Sequence, residues 1–256
     1  MAKLKDRKIK IIEFITRNGF ARAEDLAELF GVSSITVRRD FIELEEEKLI
    51  RRVHGGATTP DAGLSTRHIT WRRTLNVDTK AAVARYAASI IKPNETMFID
   101  AGSTCRLLAE NLPEHRNLTV ITHSLDVITV LAHRQGIRLI AAGGLCDDRM
   151  NAFIGPVAEA TLLPFTADRA FLGTAALSTE QGSINNTIEE TAIKRAMRRM
   201  ARRPCLLADG SKFGQEAFYA TLPAAEIKCI ITDSSAPTDA VARFRKAGVE
   251  VLIAED

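Results

Sequence analysis

The first segment whose residue types and spacing suit the binding of a ligand is Asp-Ala-Gly-Ser-Thr at residues 100–104. This loop follows an apolar stretch predicted as a strand at 96–100 and precedes a helix predicted at 104–112. Small residues at such a junction let backbone N–H groups and hydroxyls converge on an anion at the positive N-terminus of the helix. A tight strand-to-helix turn without a ligand would have the same sequence, so the loop by itself leaves both interpretations open.

Other polar residues follow other predicted strands or lie in a helix between them. Because ligands of an open parallel sheet gather at the carboxyl ends of its strands, these residues predict one site for a small polar ligand. The candidates are Asp100, Gly102, Ser103, Thr104, Thr122, His123, Ser124, Gly143, Gly144, Glu190, Lys194, Asp209, Ser211 and Lys212. Structural roles stay open: Glu190 and Lys194 have the spacing of a helical ion pair. His123 could be a packed strand-end residue, and residues 211–212 could form a solvated turn.

Residues 23–42 have the spacing of a helix-turn-helix. Two closely crossing helices need a small residue at the crossing, a residue that tolerates positive φ in the turn, and an apolar anchor in the second helix. Ala27, Gly31 and Val37 supply these at offsets of four and six. A predicted strand at 49–53 and a glycine pair then predict a hairpin, so the whole segment is typical of a winged helix.

Base edges are contacted by the N-terminal turns of a recognition helix. Arginine can donate two hydrogen bonds to guanine, while serine and threonine contact bases or phosphates. The predicted DNA contacts are Ser33, Ser34, Ile35, Thr36, Arg38 and Arg39 on the helix and Arg51, Arg52, His54, Gly55 and Gly56 on the wing. His54 could instead only cap the hairpin.

Charge limits where this module can meet a duplex. Residues 1–39 carry more Lys and Arg than Asp and Glu, and an acidic block follows at 40–47. Phosphates would repel that block, so contact is restricted to the start of the helix and the wing; a merely solvated charged face is the alternative. We expect Asp40 to pair with a neighbouring arginine.

Two kinds of domain must position these residues. The first sixty residues have the pattern of short helices and a hairpin, whereas later helices alternate with short apolar strands. That alternation predicts an α/β domain with a mostly parallel sheet covered on both faces. The predicted strands are 96–100, 118–122, 138–142, 168–173, 205–209, 228–232 and 249–253. We expect a winged helix-turn-helix at 1–57, a linker at 58–77 and a ligand-binding domain at 78–256.

Composition excludes several classes of protein. With 256 residues, 46% hydrophobic and 26% charged, the chain can bury a core and is not disordered. No apolar run reaches the roughly 18 residues of a membrane span, and the basic N-terminus lacks a signal peptide's apolar core, so we expect a cytoplasmic protein. The scattered cysteines predict reduced, mostly buried thiols and no zinc site; no pattern predicts a cofactor.

Residues 32–40, Leu44, Glu45 and residues 52–57 resemble the amino-terminal signature of the DeoR family of bacterial sugar-metabolism regulators. The resemblance extends through nearly the whole chain and departs at Phe41 and Lys48, where leucine and glycine are usual. It implies a transcriptional regulator, usually a repressor, that binds double-stranded operator DNA as a homo-oligomer (dimer or tetramer) and is released by a sugar phosphate.

The resemblance also assigns roles within the ligand site. It implies that residues 102–104 hold the phosphate and that Lys212 adds positive charge. Asp100, Glu190 and Asp209 would bind sugar hydroxyls. Ligand binding would act on DNA affinity through residues 58–77, where residues 71–73 could be a docking point or an exposed linker.

The second domain is also similar to ribose phosphate isomerase, so a sugar-phosphate isomerase fused to a DNA-binding module is the alternative. That enzyme has paired aspartates in a D-G-A-D stretch and a lysine before a glycine run. Here residues 168–173 carry Phe171 at the second aspartate position, and residues 182–186 lack the lysine and the glycine run. A pocket without those groups can hold a sugar but not move its protons, so we expect no enzyme activity.

Overall fold

The computed structural model describes residues 2–47, 49–59, 69–113 and 116–255 of the chain. It divides into two compact units, Met1–Leu75 and Asn76–Asp256. No helix of the described ranges is both long and apolar enough to cross a membrane.

The first unit is a winged helix-turn-helix, as predicted. Its three strands form an antiparallel sheet in the order β1-β3-β2, and β1 is a strand that the sequence pattern did not reveal. The elements are α1 (Ala2–Asn18), β1 (Phe20–Arg22), α2 (Ala23–Phe30), α3 (Ser34–Glu46), β2 (Arg51–Val53), β3 (Gly56–Thr58) and α4 (Ile69–Thr74).

The turn between α2 and α3 forms for the reasons that the spacing suggests. Gly31 ends α2 in the left-handed region with φ 63°. Ser33 then caps α3, because its hydroxyl accepts a hydrogen bond from the Thr36 N–H at 3.2 Å. Ala27 and Val37 are buried in one core with residues of α1 and the wing. The small residue, the turn glycine and the apolar anchor therefore have their predicted roles.

Part of the predicted linker belongs to the first unit. Thr58 ends β3, and the helix α4 places Trp71 in the core of this unit with only 2% of its surface exposed. Leu75 packs against the same core. Trp71 is therefore not part of an exposed linker, because its indole is buried among the winged-helix side chains. The rest of the predicted linker, 60–68, lies outside the described residues.

The second unit is built on a seven-stranded parallel sheet in the order β15-β14-β12-β9-β4-β5-β6. All seven strands predicted for this domain belong to it, with shifted ends. The strands of the unit are β4 (Thr96–Ile99), β5 (Leu118–Thr122), β6 (Ile137–Ala141), β7 (Leu145–Asp147), β8 (Ala152–Ile154), β9 (Ala167–Gly173), β10 (Ala176–Ser178), β11 (Gly182–Asn185), β12 (Ala201–Leu207), β13 (Tyr219–Leu222), β14 (Cys229–Asp233) and β15 (Glu250–Ala254).

Helices cover both faces of this sheet, as predicted. One core contains residues of α5, α6 and α7 and the other contains residues of α8, α9 and α10. Alternate residues of a strand face opposite cores, as Met97 and Phe98 of β4 do. The helices are α5 (Val77–Ser89), α6 (Ser103–Glu110), α7 (Leu125–Leu131), α8 (Pro156–Leu162), α9 (Ile188–Met200) and α10 (Thr238–Lys246).

The short strands β7, β8, β10, β11 and β13 were not predicted from the sequence. They pair antiparallel in a two-stranded and a three-stranded sheet outside the main one. Each has only three or four residues, too few for a clear alternation of apolar and polar side chains. Among the cysteines, all free, Cys146 of β7 is exposed and the other three are buried.

Candidate functional site

The first turns of α3 expose side chains that suit a duplex groove. Ile35 is 77% exposed, and the side chains of Arg38 and Arg39 are mostly exposed, while Val37 between them is fully buried. This separation follows from the helical period, which turns residue 37 toward the core. The Ser33 hydroxyl makes its hydrogen bonds within the protein: it caps α3 and lies 2.8 Å from the Thr36 hydroxyl.

Three of the predicted DNA-contacting arginines lie in ion pairs on the protein surface. Arg38 donates a hydrogen bond to Glu24 on α2 at 2.8 Å. Arg39 donates to Glu43 at 3.2 Å, and Arg52 of the wing donates to Glu45 at 2.6 Å. The hydrogen bond from Arg38 lowers the pKa of Glu24, and the one from Arg52 lowers that of Glu45. Exposed pairs of this kind contribute little to stability, so phosphates can replace these carboxylates.

Asp40 pairs with an arginine, but not with one of its neighbours in the sequence. Its carboxylate accepts two hydrogen bonds, at 2.6 and 3.0 Å, from Arg7 on α1. Asp40 is buried and faces α1, whereas Arg38 and Arg39 point to solvent, so they cannot reach it. Lys8 similarly reaches Glu43 at 2.7 Å, so α1 neutralises part of the acidic half of α3.

The two wing glycines have different roles. Gly55 lies in the exposed turn with φ 83°, and a side chain there would meet no atom within 4 Å. A Cβ on Gly56 would overlap the Ala21 carbonyl oxygen and lie 2.7 Å from the Phe20 ring. Gly56 is therefore required for the close packing of β3 on β1. Arg51 and His54 are exposed.

In the second unit, three of the predicted ligand residues, Asp100, Glu190 and Lys194, meet at the carboxyl end of β4. Asp100 is completely buried, accepts a hydrogen bond from the Gly173 N–H at 2.8 Å and forms a hydrogen-bonded ion pair with Lys194. Lys194 also lies 3.4 Å from Glu190, so one buried ammonium is shared by two buried carboxylates. The predicted helical pair thus exists, but it is part of a larger charge cluster.

Asp100 and Lys194 of this cluster are both ionised at neutral pH. Burial alone would raise the pKa of Asp100, but the charge of Lys194 and the contact with His123 outweigh it and hold that pKa at about 2. Burial also lowers the pKa of Lys194, and the charges of Asp100 and Glu190 more than reverse this, so that pKa lies above its ordinary value. The two carboxyl groups around this one ammonium leave an excess of hydrogen-bond acceptors.

His123 and its neighbours hold the strand ends together. The His123 Nε2 lies 3.1 Å from Asp100 Oδ1 and 3.2 Å from the Ala101 backbone nitrogen, while Nδ1 lies 2.8 Å from the Phe153 carbonyl oxygen. Thr122 donates to the Ile99 carbonyl at 2.6 Å, and the Ser124 hydroxyl caps α7. All three predicted residues are fully buried, which is the packed strand-end arrangement.

The loop at 102–104 leaves space beside Gly102, although Gly102 and Thr104 are largely buried. Gly102 precedes α6 with φ 146°, and a Cβ there would meet no atom within 4 Å. Within the described ranges, no side chain caps the start of α6. The first N–H groups of this eight-residue helix are therefore available to an anion that approaches beside the Ser103 and Thr104 hydroxyls.

A second polar loop follows β12. The Asp209 Oδ1 accepts hydrogen bonds from the backbone N–H and the hydroxyl of Ser211 and, at 3.2 Å, from the Asn76 amide. The other carboxylate oxygen, Oδ2, is buried and has no hydrogen-bond partner among the described atoms. Lys212 ends the short 3-10 helix of this loop, at 210–212.

Not every predicted residue joins these contacts. Gly143 and Gly144 follow β6, and Gly144 is pressed against Ala158 of α8, where an added Cβ would lie 3.2 Å from the alanine Cβ. No hydrogen bond between described residues links either glycine to Asp100 or Asp209. The sequence pattern missed Asn76 and Gly173, because neither the short amide nor the strand-end glycine has a distinctive spacing.

The site offers little for proton transfer at a sugar carbon. Phe171, at the position of the isomerase's second aspartate, is fully buried in the core. Asp100 is ionised but is held by Lys194 and the Gly173 N–H. In the described part of the chain, no group of three or more His, Cys, Asp or Glu residues is placed to hold a metal ion.

A winged helix-turn-helix joined to an α/β domain with a polar site at its strand ends defines a DNA-binding transcriptional regulator with a sensor domain. Family models agree: a DeoR-like helix-turn-helix domain matches residues 7–62, and a DeoR C terminal sensor domain matches residues 75–234. The chain belongs to the DeoR family.

Its relatives are named as repressors. It is 30% identical over 253 residues to a putative aga operon transcriptional repressor of Escherichia coli O157:H7, covering 97% of this chain and 93% of that one. The glycerol-3-phosphate regulon repressor of Escherichia coli K12 is 33% identical over 229 residues, covering 89% and 90%. The repressor AccR of Agrobacterium fabrum is 32% identical, covering 91% of both chains. The names of these relatives point to a transcriptional regulator.

Among solved structures, a ribose 5-phosphate isomerase A from Methanocaldococcus jannaschii covers 54% of this chain and 55% of its own, at a TM-score of 0.41 and 20% identity. Neither a shared activity nor a shared ligand follows from a likeness at this level.

Proposed function

We propose that the protein represses carbohydrate-utilisation genes in the cytoplasm by binding operator DNA through α3 and the wing, and that a sugar phosphate at the strand ends of the second unit releases it. The names of two relatives support this assignment, since one is a repressor of an aga operon and another of a glycerol-3-phosphate regulon. The observation that carries the ligand assignment is the buried cluster of Asp100, Lys194 and Glu190 beside the uncapped start of α6.

The DNA contacts follow from exposure and charge. Ile35, Arg38 and Arg39 stand clear of the protein on the first turns of α3, where a helix in the major groove meets base edges. Arg38 and Arg52 would exchange their carboxylate partners for a base edge or a phosphate. Ser34, Thr36, Arg51, His54 and Gly55 complete the proposed surface.

The ligand contacts follow from the chemistry of the two loops. The N–H groups and hydroxyls at 102–104 suit a phosphate, which accepts hydrogen bonds only. The carboxylates of Glu190 and Asp209 suit hydroxyl groups, which can donate to them. Lys194 is engaged by two carboxylates, so we assign it the role of keeping Asp100 charged rather than of binding phosphate. A molecule with a phosphate at one end and hydroxyls at the other satisfies both loops.

Repression also calls for more than one copy of the chain. A single winged helix contacts few base pairs, and specific sites are normally read by two copies on repeated half-sites. We therefore propose a dimer or tetramer on the operator.

The experiment replaces Ser103 by glutamate, which would place a negative charge where the phosphate is proposed to bind. An operator is first selected from random duplexes, and glycerol 3-phosphate, ribose 5-phosphate, glucose 6-phosphate and fructose 6-phosphate are screened by thermal shift. Ser103→Glu should bind the operator like the wild type but lose release by the stabilising sugar phosphate. Ser89→Glu, an exposed serine at the end of α5, is the matched control.

Two results would contradict the proposal. Release that is retained in Ser103→Glu would place the ligand elsewhere, and a wild-type protein that does not prefer any duplex over random DNA would remove the repressor function. Conversion of ribose 5-phosphate to its ketose would show that the protein is an enzyme instead.

A further inference from the structure

We propose that Asn76 is the positioning residue that couples the ligand site to the DNA-binding unit. This inference rests on the proposed function, since it requires that a ligand at the strand ends changes DNA affinity. Asn76 is the side chain through which the ligand would act on DNA affinity.

The position of Asn76 in the chain is the first observation. Asn76 is the first residue of the second unit, and one peptide bond joins it to Leu75, which packs against the core of the first unit. A displacement of Asn76 would therefore act, through a single peptide bond, on a residue that packs against the winged-helix core.

The contacts of Asn76 are the second observation. Its side-chain amide donates to the Ser211 hydroxyl at 2.9 Å and to the Asp209 carboxylate at 3.2 Å, across more than 130 residues of sequence. An asparagine that precedes a helix commonly caps it, but the Asn76 side chain makes no capping bond to α5. Its carbonyl oxygen instead accepts from the Thr79 hydroxyl and the Lys80 N–H, both at 3.1 Å, which fixes its backbone to α5.

The free oxygen of Asp209 is the third observation. Three donors converge on Oδ1, two from Ser211 and one from Asn76, while the buried Oδ2 has no partner among the described atoms. A ligand hydroxyl that donates to Oδ2 supplies the missing partner of this carboxylate. When the Asp209 carboxylate moves toward the ligand, its Oδ1 binds the Asn76 amide less well, because Oδ1 and Oδ2 belong to the same carboxylate.

The coupling follows from the difference between two states. With the site empty, the Asn76 amide is bound to the loop at 209–211; with ligand present, the geometry of that loop changes and the backbone at the junction gains another position. A ligand shifts the DNA affinity only to the extent that it binds these two arrangements differently. Without the amide, the ligand-free and ligand-bound arrangements no longer differ in how the loop at 209–211 holds residue 76.

The test uses the full-length chain with Asn76→Gly and Asn76→Asp. The φ of Asn76 is 50°, a left-handed conformation that glycine and aspartate both tolerate, so both variants should fold. Glycine lacks the amide, and aspartate replaces the donor by an acceptor that Asp209 repels. The matched controls are Asn117→Gly and Asn117→Asp, because Asn117 has φ 51°, is exposed, and donates only to Asn94, at 3.0 Å, among the described residues.

The quantity measured is the ratio of the operator Kd with saturating sugar phosphate to the Kd without it, for each variant at its own saturating concentration. The probe is the sugar phosphate of the four screened above that stabilises the wild type. The wild type and both Asn117 variants should show a ratio of about 5 to 150, the usual range of allosteric coupling. Both Asn76 variants should fall below about twofold, while thermal shift still reports ligand binding.

Each other result overturns a different statement. Asn76 variants that keep the wild-type ratio refute the role of Asn76 but leave the proposed function intact. Operator binding by both Asn76 variants without ligand that is weaker than that of the ligand-saturated wild type refutes it as well, because the residue would then support the fold and not only the coupling. A wild type that binds sugar phosphate without any change in operator Kd refutes the proposed function itself.

Discussion

Replacement of Lys194 by methionine should destabilise the second unit, because Asp100 and Glu190 would lose the ammonium that they share. Lys194 is 1% exposed, Asp100 is fully buried and Glu190 is only 4% exposed. Methionine has a similar length and leaves no large cavity. The change therefore tests the charge and not the packing.

The magnitude follows from the burial of the partners. Breaking a buried ion pair by removing one partner costs about 3–5 kcal/mol, since the remaining charge has no compensation. In a unit of this size, each kcal/mol lowers the Tm by about 2–4 °C, so we expect a decrease of about 6–20 °C. In the Lys194→Met variant, burial without the ammonium raises the pKa of the Asp100 carboxyl. Protonation of that carboxyl then limits the decrease in Tm to the lower end of this range.

The assay is thermal unfolding at pH 7, followed by circular dichroism. Lys92→Met is the matched control, because Lys92 is exposed, and it should change the Tm little. A double variant, Asp100→Asn with Lys194→Met, removes both charges of the pair and should be less destabilised than the sum of the two single variants. A Tm within about 2 °C of the wild type for Lys194→Met, or strictly additive effects, would refute the proposed charge sharing.

Three further predictions concern separate parts of the molecule. Arg38→Ala should weaken operator binding by about 1–3 kcal/mol and relax the preference at one operator position, as measured by fluorescence anisotropy on single-base variants; unchanged affinity would exclude Arg38 from the interface. Gly56→Ala should lower the Tm and the operator affinity, because its Cβ would overlap the Ala21 carbonyl oxygen, whereas Gly55→Asn should leave the Tm unchanged. Urea unfolding should show that Asp100, with a pKa of about 2 against an ordinary 3.8, stabilises the fold above pH 4 and loses about 2 kcal/mol as the pH falls toward 2; a flat profile between pH 5 and 2.5 would contradict this.

The sequence determined the elements whose signals are local. The offsets between Ala27, Gly31 and Val37 predicted the helix-turn-helix, because the helical period and the steric freedom of glycine act over a few residues. The alternation of apolar strands with helices predicted the parallel sheet, since a strand buried on both faces is apolar throughout. The loop at 102–104 lies at the junction between a strand and a helix, as the local pattern indicated, and its binding of an anion stays a prediction.

Only the tertiary structure decided which distant side chains meet. Asp100 and Lys194 are 94 residues apart, Arg7 and Asp40 are 33 apart, and Asn76 reaches a loop more than 130 residues away. Such pairs depend on how helices and strands pack, which a short sequence pattern does not contain. The burial of the indole of Trp71 depends in the same way on the core that the winged-helix elements form around it. The chemistry of each residue was therefore readable from the sequence, but its partner was fixed by packing.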